Sequence, residues 1–101
     1  MKLKPVEYHP GAKLDVIRAF EWYELHEAGL GTRFQEELSA AERFIRRNPL
    51  LGNPHKFETR KRPLKVFPYV LIYFDEPDLI LVLAVAHYSR APDYWHRRAM
   101  S

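Results

Sequence analysis

Residues 66–95, VFPYVLIYFDEPDLILVLAVAHYSRAPDYW, hold two short apolar runs joined by a polar turn and followed by a basic, aromatic tail. Tyr69–Phe74 and Leu79–Ala86 are short for helices and rich in Val, Ile, Leu and Tyr, so both read as strands. Between them Asp75-Glu76-Pro77-Asp78 supplies turn chemistry, because Pro77 fixes φ and the flanking aspartates can hydrogen-bond the local backbone. The pair therefore predicts an antiparallel hairpin. Neither strand alternates cleanly between apolar and polar residues, which predicts that both faces of the hairpin are covered and that these strands are central.

Just before the hairpin, Thr59–Val66 offers a third strand, with Leu64 and Val66 on one side and Lys61 and Lys65 on the other. Pro63 has no N–H for a ladder and needs a bulge or an outward position. The preceding stretch NPLLGNPHKF (residues 48–57), with two prolines and a glycine, reads as a loop. Further back, Phe34, Leu38, Ala41 and Ile45 form an apolar helical stripe whose opposite face carries Glu36, Glu42, Arg43 and Arg46. Gly29-Leu30-Gly31 separates this helix from an earlier one running to about Ala28, and Thr32 is placed to cap it. In the earlier helix Ala12, Val16, Ala19, Phe20 and Tyr23 are spaced to face a sheet. Leu3–Tyr8 reads as a first strand, with Pro5 favouring an edge, and Ala91-Pro92-Asp93 as the start of a short terminal helix. The predicted order is β-α-α-β-β-β plus that helix: an α+β domain in which a helical hairpin packs on a mainly antiparallel sheet.

A chain of 101 residues fits one domain, residues 1–101, with one core. No apolar run reaches the roughly 18 residues of a membrane span, and the first residues lack the apolar stretch of a signal peptide, so a cytoplasmic protein without a membrane partner is expected. The absence of cysteine excludes disulfides and thiolate metal sites. The net charge of +3 conceals an uneven distribution: between residues 43 and 65 eight Lys/Arg stand against Glu58 alone. Such a block points to a polyanion or an acidic protein partner, or to a solvated rim, and Arg43, Arg46, Arg47, Arg60 and Arg62 are its contact candidates.

His87, Arg90, Tyr94, Arg97 and Arg98 follow the last strand, a set able to hold phosphates, stack a base and move protons. His87 is the candidate general base, and Tyr94 and Trp95 can equally close the core. The five histidines show no metal-ligand spacing, and no phosphate-cradling glycine loop is present, so no metal or other cofactor is expected.

The segments WYE, GLGTRF, IRRNP, RPLKVFPYVLIYF and LAVAHYSRAPDYWHRR, in this order and spacing, resemble the RelE/ParE superfamily of type II toxin–antitoxin toxins over nearly the whole chain. The resemblance implies a cognate antitoxin, a toxin–antitoxin hetero-oligomer and growth inhibition by the free toxin. It also implies a choice of branch. Ribosome-dependent RelE-like nucleases, acting on the ribosome and mRNA without metal, carry an arginine after the aromatic residue opening the middle strand and another near the end of the last strand; here Val70 and Tyr88 stand at those positions. The later arginine and tyrosine of that pattern are matched by Arg90 and Tyr94. The two missing cations favour the ParE-like branch, associated with poisoning DNA gyrase, with Arg90, Arg97 and Arg98 as target contacts. The alternatives are a RelE-like endoribonuclease using His87, Arg90 and Tyr94, and a non-toxic nucleic-acid-binding module.

Overall fold

The computed structural model describes residues 3–90 and 94–100. Its elements are β1 (Val6–Tyr8), α1 (Pro10–His26), α2 (Leu30–Arg47), β2 (Asn53–Pro54), β3 (Arg60–Pro63), β4 (Tyr69–Asp75), β5 (Ile80–His87) and α3 (His96–Met100). They form a five-stranded sheet of order β1-β5-β4-β3-β2, antiparallel except for β1, which runs parallel to β5 at one edge. This is the expected α+β arrangement, and the central hairpin lies in the sheet's interior as its unbroken apolar runs require.

The first strand is confined to Val6–Tyr8, shorter than the Leu3–Tyr8 expected, and it sits at the edge where Pro5 placed it. Pro10 occupies the first turn of α1, where its missing N–H costs nothing, and the His9 ring accepts a hydrogen bond from the Gly11 N–H at 2.9 Å. The cap of α2 differs from the reading: Gly29, with φ 90°, precedes the first residue Leu30, and Thr32 lies inside the helix. A left-handed backbone there is accessible to glycine without strain, so the reversal between the helices is made three residues earlier than a threonine cap would set it. The loop after α2 contains the two-residue strand β2, paired to Lys61 and Arg60, which its two prolines concealed. β3 ends at Pro63, three residues short of the expected Val66; Leu64 turns inward while Val66 is exposed. The expected helix start at Ala91-Pro92-Asp93 lies outside the described residues, and α3 begins at His96.

Both faces of the central strands are covered. On one, Ala12, Ala19, Tyr23, Phe34, Leu38 and Ile45 from the helices pack on Leu71, Tyr73, Val82 and Val85. On the other, Ile72, Leu83, Ala84 and Ala86 are covered by Trp95, which is 1% exposed. The pairing shifts from Ile72↔Ala84 to Tyr73↔Val82, leaving Leu83 as the extra residue of a β-bulge. Beside it, β1 ends at Tyr8 and leaves the edge of β5 without a strand neighbour beyond Val82. There the Val85 N–H donates to Asp15 Oδ2 at 3.1 Å, and the Leu83 carbonyl accepts from Arg98 at 2.9 Å. Asp15 and Arg98 are themselves ion-paired at 2.8 Å. One buried pair thus satisfies backbone groups that would otherwise lack partners.

Candidate functional site

The end of β5 and the middle of α1 enclose a cleft of about 610 Å3 lined by, among others, Arg18, Trp22, Tyr69, His87, Ser89, Arg90 and Tyr94. His87, Arg90 and Tyr94, singled out from sequence, therefore meet in one place. The Ser89 N–H donates to His87 Nδ1 at 2.9 Å, which requires a lone pair on that nitrogen and puts the proton of the neutral ring on Nε2. The Ser89 hydroxyl also lies 2.7 Å from Nδ1, and the Tyr69 ring meets the imidazole edge to face at 5.0 Å. Tyr94 donates its phenolic proton to Asp15 at 3.1 Å. Burial, reinforced by the Asp15 charge, holds the Tyr94 phenol above the ordinary tyrosine range, so it acts as a donor and not as a base near neutral pH. Arg90 lies over the Tyr94 ring, 4.4 Å from its centroid.

On the opposite face of the sheet a smaller cleft of about 220 Å3 is lined by His55, Lys61, Val70, Tyr88, Arg90, Tyr94 and Trp95, among others. Val70 and Tyr88, the two positions at which the nuclease pattern has arginine, face this second space together. His87 borders both clefts.

The basic block does not gather into one surface. Arg46 donates to the Lys4 carbonyl at 2.9 Å, Arg60 to the Leu50 and Gly52 carbonyls at 3.2 and 3.0 Å, and the Arg62 guanidinium lies 3.7 Å from the centre of the Phe44 ring. Arg43 and Arg47 are exposed along α2. Arg60 pairs with Tyr73, at the far end of β4 from the Tyr69–His87 pair, so the start of β3 and the end of β5 do not share a site. Arg97 is exposed on α3, whereas Arg98 turns inward to Asp15 and does not present itself to a target.

Sequence reasoning missed Asp15, Arg18 and Trp22. The signal was present: an aspartate among the inward positions of α1, and Arg18 and Trp22 one turn apart on its other side. A third concavity of about 830 Å3 follows the outer groove of the helical hairpin, with Tyr8, Val16, Ile17 and Leu38 in its wall and Lys13, Glu36 and Arg43 around it.

The sequence matches the profile of the ParE toxin of type II toxin–antitoxin system, parDE, over residues 6–92. No curated protein matches significantly. Among solved structures, a chain described as "Chromosomal ParDE TA system from P. aeruginosa" superposes with a TM-score of 0.74 at 12% identity, covering 84% of this chain and 96% of that one. At such identity the superposition speaks for the fold. The family match, spanning most of the domain whose sheet and hairpin have just been described, shows that the chain belongs to the ParE family of type II toxin–antitoxin toxins.

Proposed function

We propose that this ParE-family toxin inhibits growth in the cytoplasm by poisoning DNA gyrase and is neutralised by a cognate antitoxin. The observation that carries the choice of target is the cleft on the face of the sheet that Trp95 covers. At the two positions where a ribosome-dependent nuclease of the related branch carries arginine to stabilise charge developing on a phosphodiester, this cleft presents Val70 and Tyr88, and its cations are Lys61 and Arg90 instead. Tyr94, the candidate proton carrier, is tied to Asp15 with its phenol held protonated. Arg90 and Arg97 are the exposed cations proposed to meet the target, and Arg43 and Arg47 the exposed members of the basic block proposed to meet acidic side chains of the antitoxin.

The test combines purified protein with gyrase and supercoiled plasmid, and separately with a translating system whose message is mapped by primer extension. Accumulation of gyrase-linked double-strand breaks with an intact message is the expected result. Message cleavage confined to ribosome-bound RNA, abolished by His87→Ala or Tyr94→Phe, would replace the proposal with nuclease activity.

A further inference from the structure

Helix α1 carries large apolar side chains on its outer face as well as apolar ones on its inner face. Its inward face carries Asp15, while Leu14, Ile17, Trp22 and Leu25 are 49, 50, 54 and 87% exposed. At 100° per residue these four fall within one face of the helix, with Arg18 near its centre. A half-exposed apolar stripe of this extent marks an interaction surface more readily than a solvated one. Glu21 lies on the same face, and Glu24 is directed elsewhere, accepting from the Gly31 N–H at 2.9 Å.

The stripe runs into the cleft at the end of β5, since Arg18 and Trp22 belong to both. Among the described residues neither Arg18 nor Arg90 has a carboxylate within ion-pair distance, and no partner engages His87 Nε2–H. Among the described residues the one carboxylate in the cleft wall, Asp15, is saturated: Oδ2 accepts from Val85, Tyr94 and Arg98, and Oδ1 from Arg98. Two guanidinium groups and an imidazole N–H therefore border an apolar cleft in which no anion among the described residues is left to engage them. Guanidinium groups are suited to carboxylates by their planar, forked donors.

Resting on the antitoxin reading above, we propose that this continuous surface is where the antitoxin is selected. An acidic amphipathic helix of the antitoxin lays its apolar side chains along Leu14, Ile17, Trp22 and Leu25 and sets a carboxylate between Arg18 and Arg90. This adds Arg18 and Arg90 to the exposed Arg43 and Arg47 as antitoxin contacts and makes Arg90 a cation for which antitoxin and target compete, while Arg46, Arg60 and Arg62 of the basic block are occupied by carbonyls and by Phe44. Charge complementarity chooses the occupant: Arg18 and Arg90 border the cleft while Asp15 is already saturated, so the cleft takes a carboxylate from outside the described residues.

The test measures binding of this chain to the purified product of the adjoining reading frame, with the toxin's own oligomeric state followed by sedimentation. Arg18→Glu, Arg90→Glu and Leu25→Glu are each expected to weaken the complex by about tenfold or more, whereas Lys65→Glu, a reversal within the basic block, leaves it within about threefold. Circular dichroism and thermal melts identify any variant that fails to fold, and Arg18→Gln and Arg90→Gln then carry the test. Wild-type binding that the Arg18 and Arg90 variants leave intact would overturn the cleft assignment alone. Absence of a wild-type complex would overturn it together with the antitoxin reading. A wild-type toxin that dimerises, and becomes monomeric with Leu25→Glu while antitoxin affinity is unchanged, would give the stripe to a second copy and overturn the proposal.

Discussion

Asp15 is a charged side chain at an inward position of an otherwise apolar helix face, 6% exposed, and it is held there by three donors from distant parts of the chain. Removing it leaves the Val85 N–H without its acceptor and strips the Arg98 guanidinium of its carboxylate, with the Leu83 carbonyl contact remaining. Asp15→Ala is therefore expected to destabilise the fold by about 3–5 kcal/mol, read as a lower urea midpoint at unchanged slope. The double variant Asp15→Leu/Arg98→Met is expected to be less destabilised than the sum of the single changes, because it removes the cation together with its carboxylate. At this scale the sequence was least informative. Arg98 stood among the candidate target contacts, since nothing near residue 98 shows that its partner lies 83 residues earlier. His87, Arg90 and Tyr94 were recognised as a group because they follow one strand closely, and the fold does bring them to one cleft.

The elements were more legible, for reasons that differ between them. β4 and β5 announce themselves by uninterrupted apolar runs, and α2 by a stripe buried at Phe34, Leu38, Ala41 and Ile45. α1 was placed correctly, but its outward leucines blur its amphipathicity, and Val16 and Phe20, expected against the sheet, are half-buried while Asp15 is fully inside. β2 is two residues long and contains Pro54, so pattern reasoning has no purchase on it. Gly31 marks the closest approach of the two helices. A Cβ there would lie 2.8 Å from the Phe20 carbonyl oxygen and 2.6 Å from Glu24 Cγ. Gly31→Ala should therefore force α1 and α2 apart and cost about 1–3 kcal/mol, although alanine is the better helix former. A thermal melt that rises with this substitution would show that the hairpin relaxes without loss.

Five of the six tyrosines of the molecule are buried or half-buried, Tyr88 being the exposed one. Burial raises Tyr8, Tyr23, Tyr69, Tyr73 and Tyr94 above the ordinary value of 10.0, most strongly Tyr8, next to Glu42, and Tyr94, next to Asp15. In the unfolded chain these phenols ionise near their ordinary value, while in the folded chain they keep their protons, so the folded state binds more protons above that point. Stability is accordingly expected to be insensitive to these groups below about pH 10 and to fall as pH rises beyond it. Tyr8→Phe and Tyr94→Phe should each make that alkaline decline shallower, as measured by denaturant unfolding across pH 8–11. The architecture as a whole was readable from periodicity, turn chemistry and the family resemblance. The arrangement of charges around it was not, because a run of basic residues in sequence disperses over α2, β3 and the intervening loop. The same architecture sets an order of events during synthesis. β1 pairs with Ile80–Val82, and Asp15 finds Arg98 only when almost the entire chain exists, so although α1 can meet α2 early, the first strand and the buried carboxylate have no native partners until the last-made segments arrive. A growing chain of this toxin is thus without its fold, and without the cleft that its fold builds, for nearly the whole of its own translation.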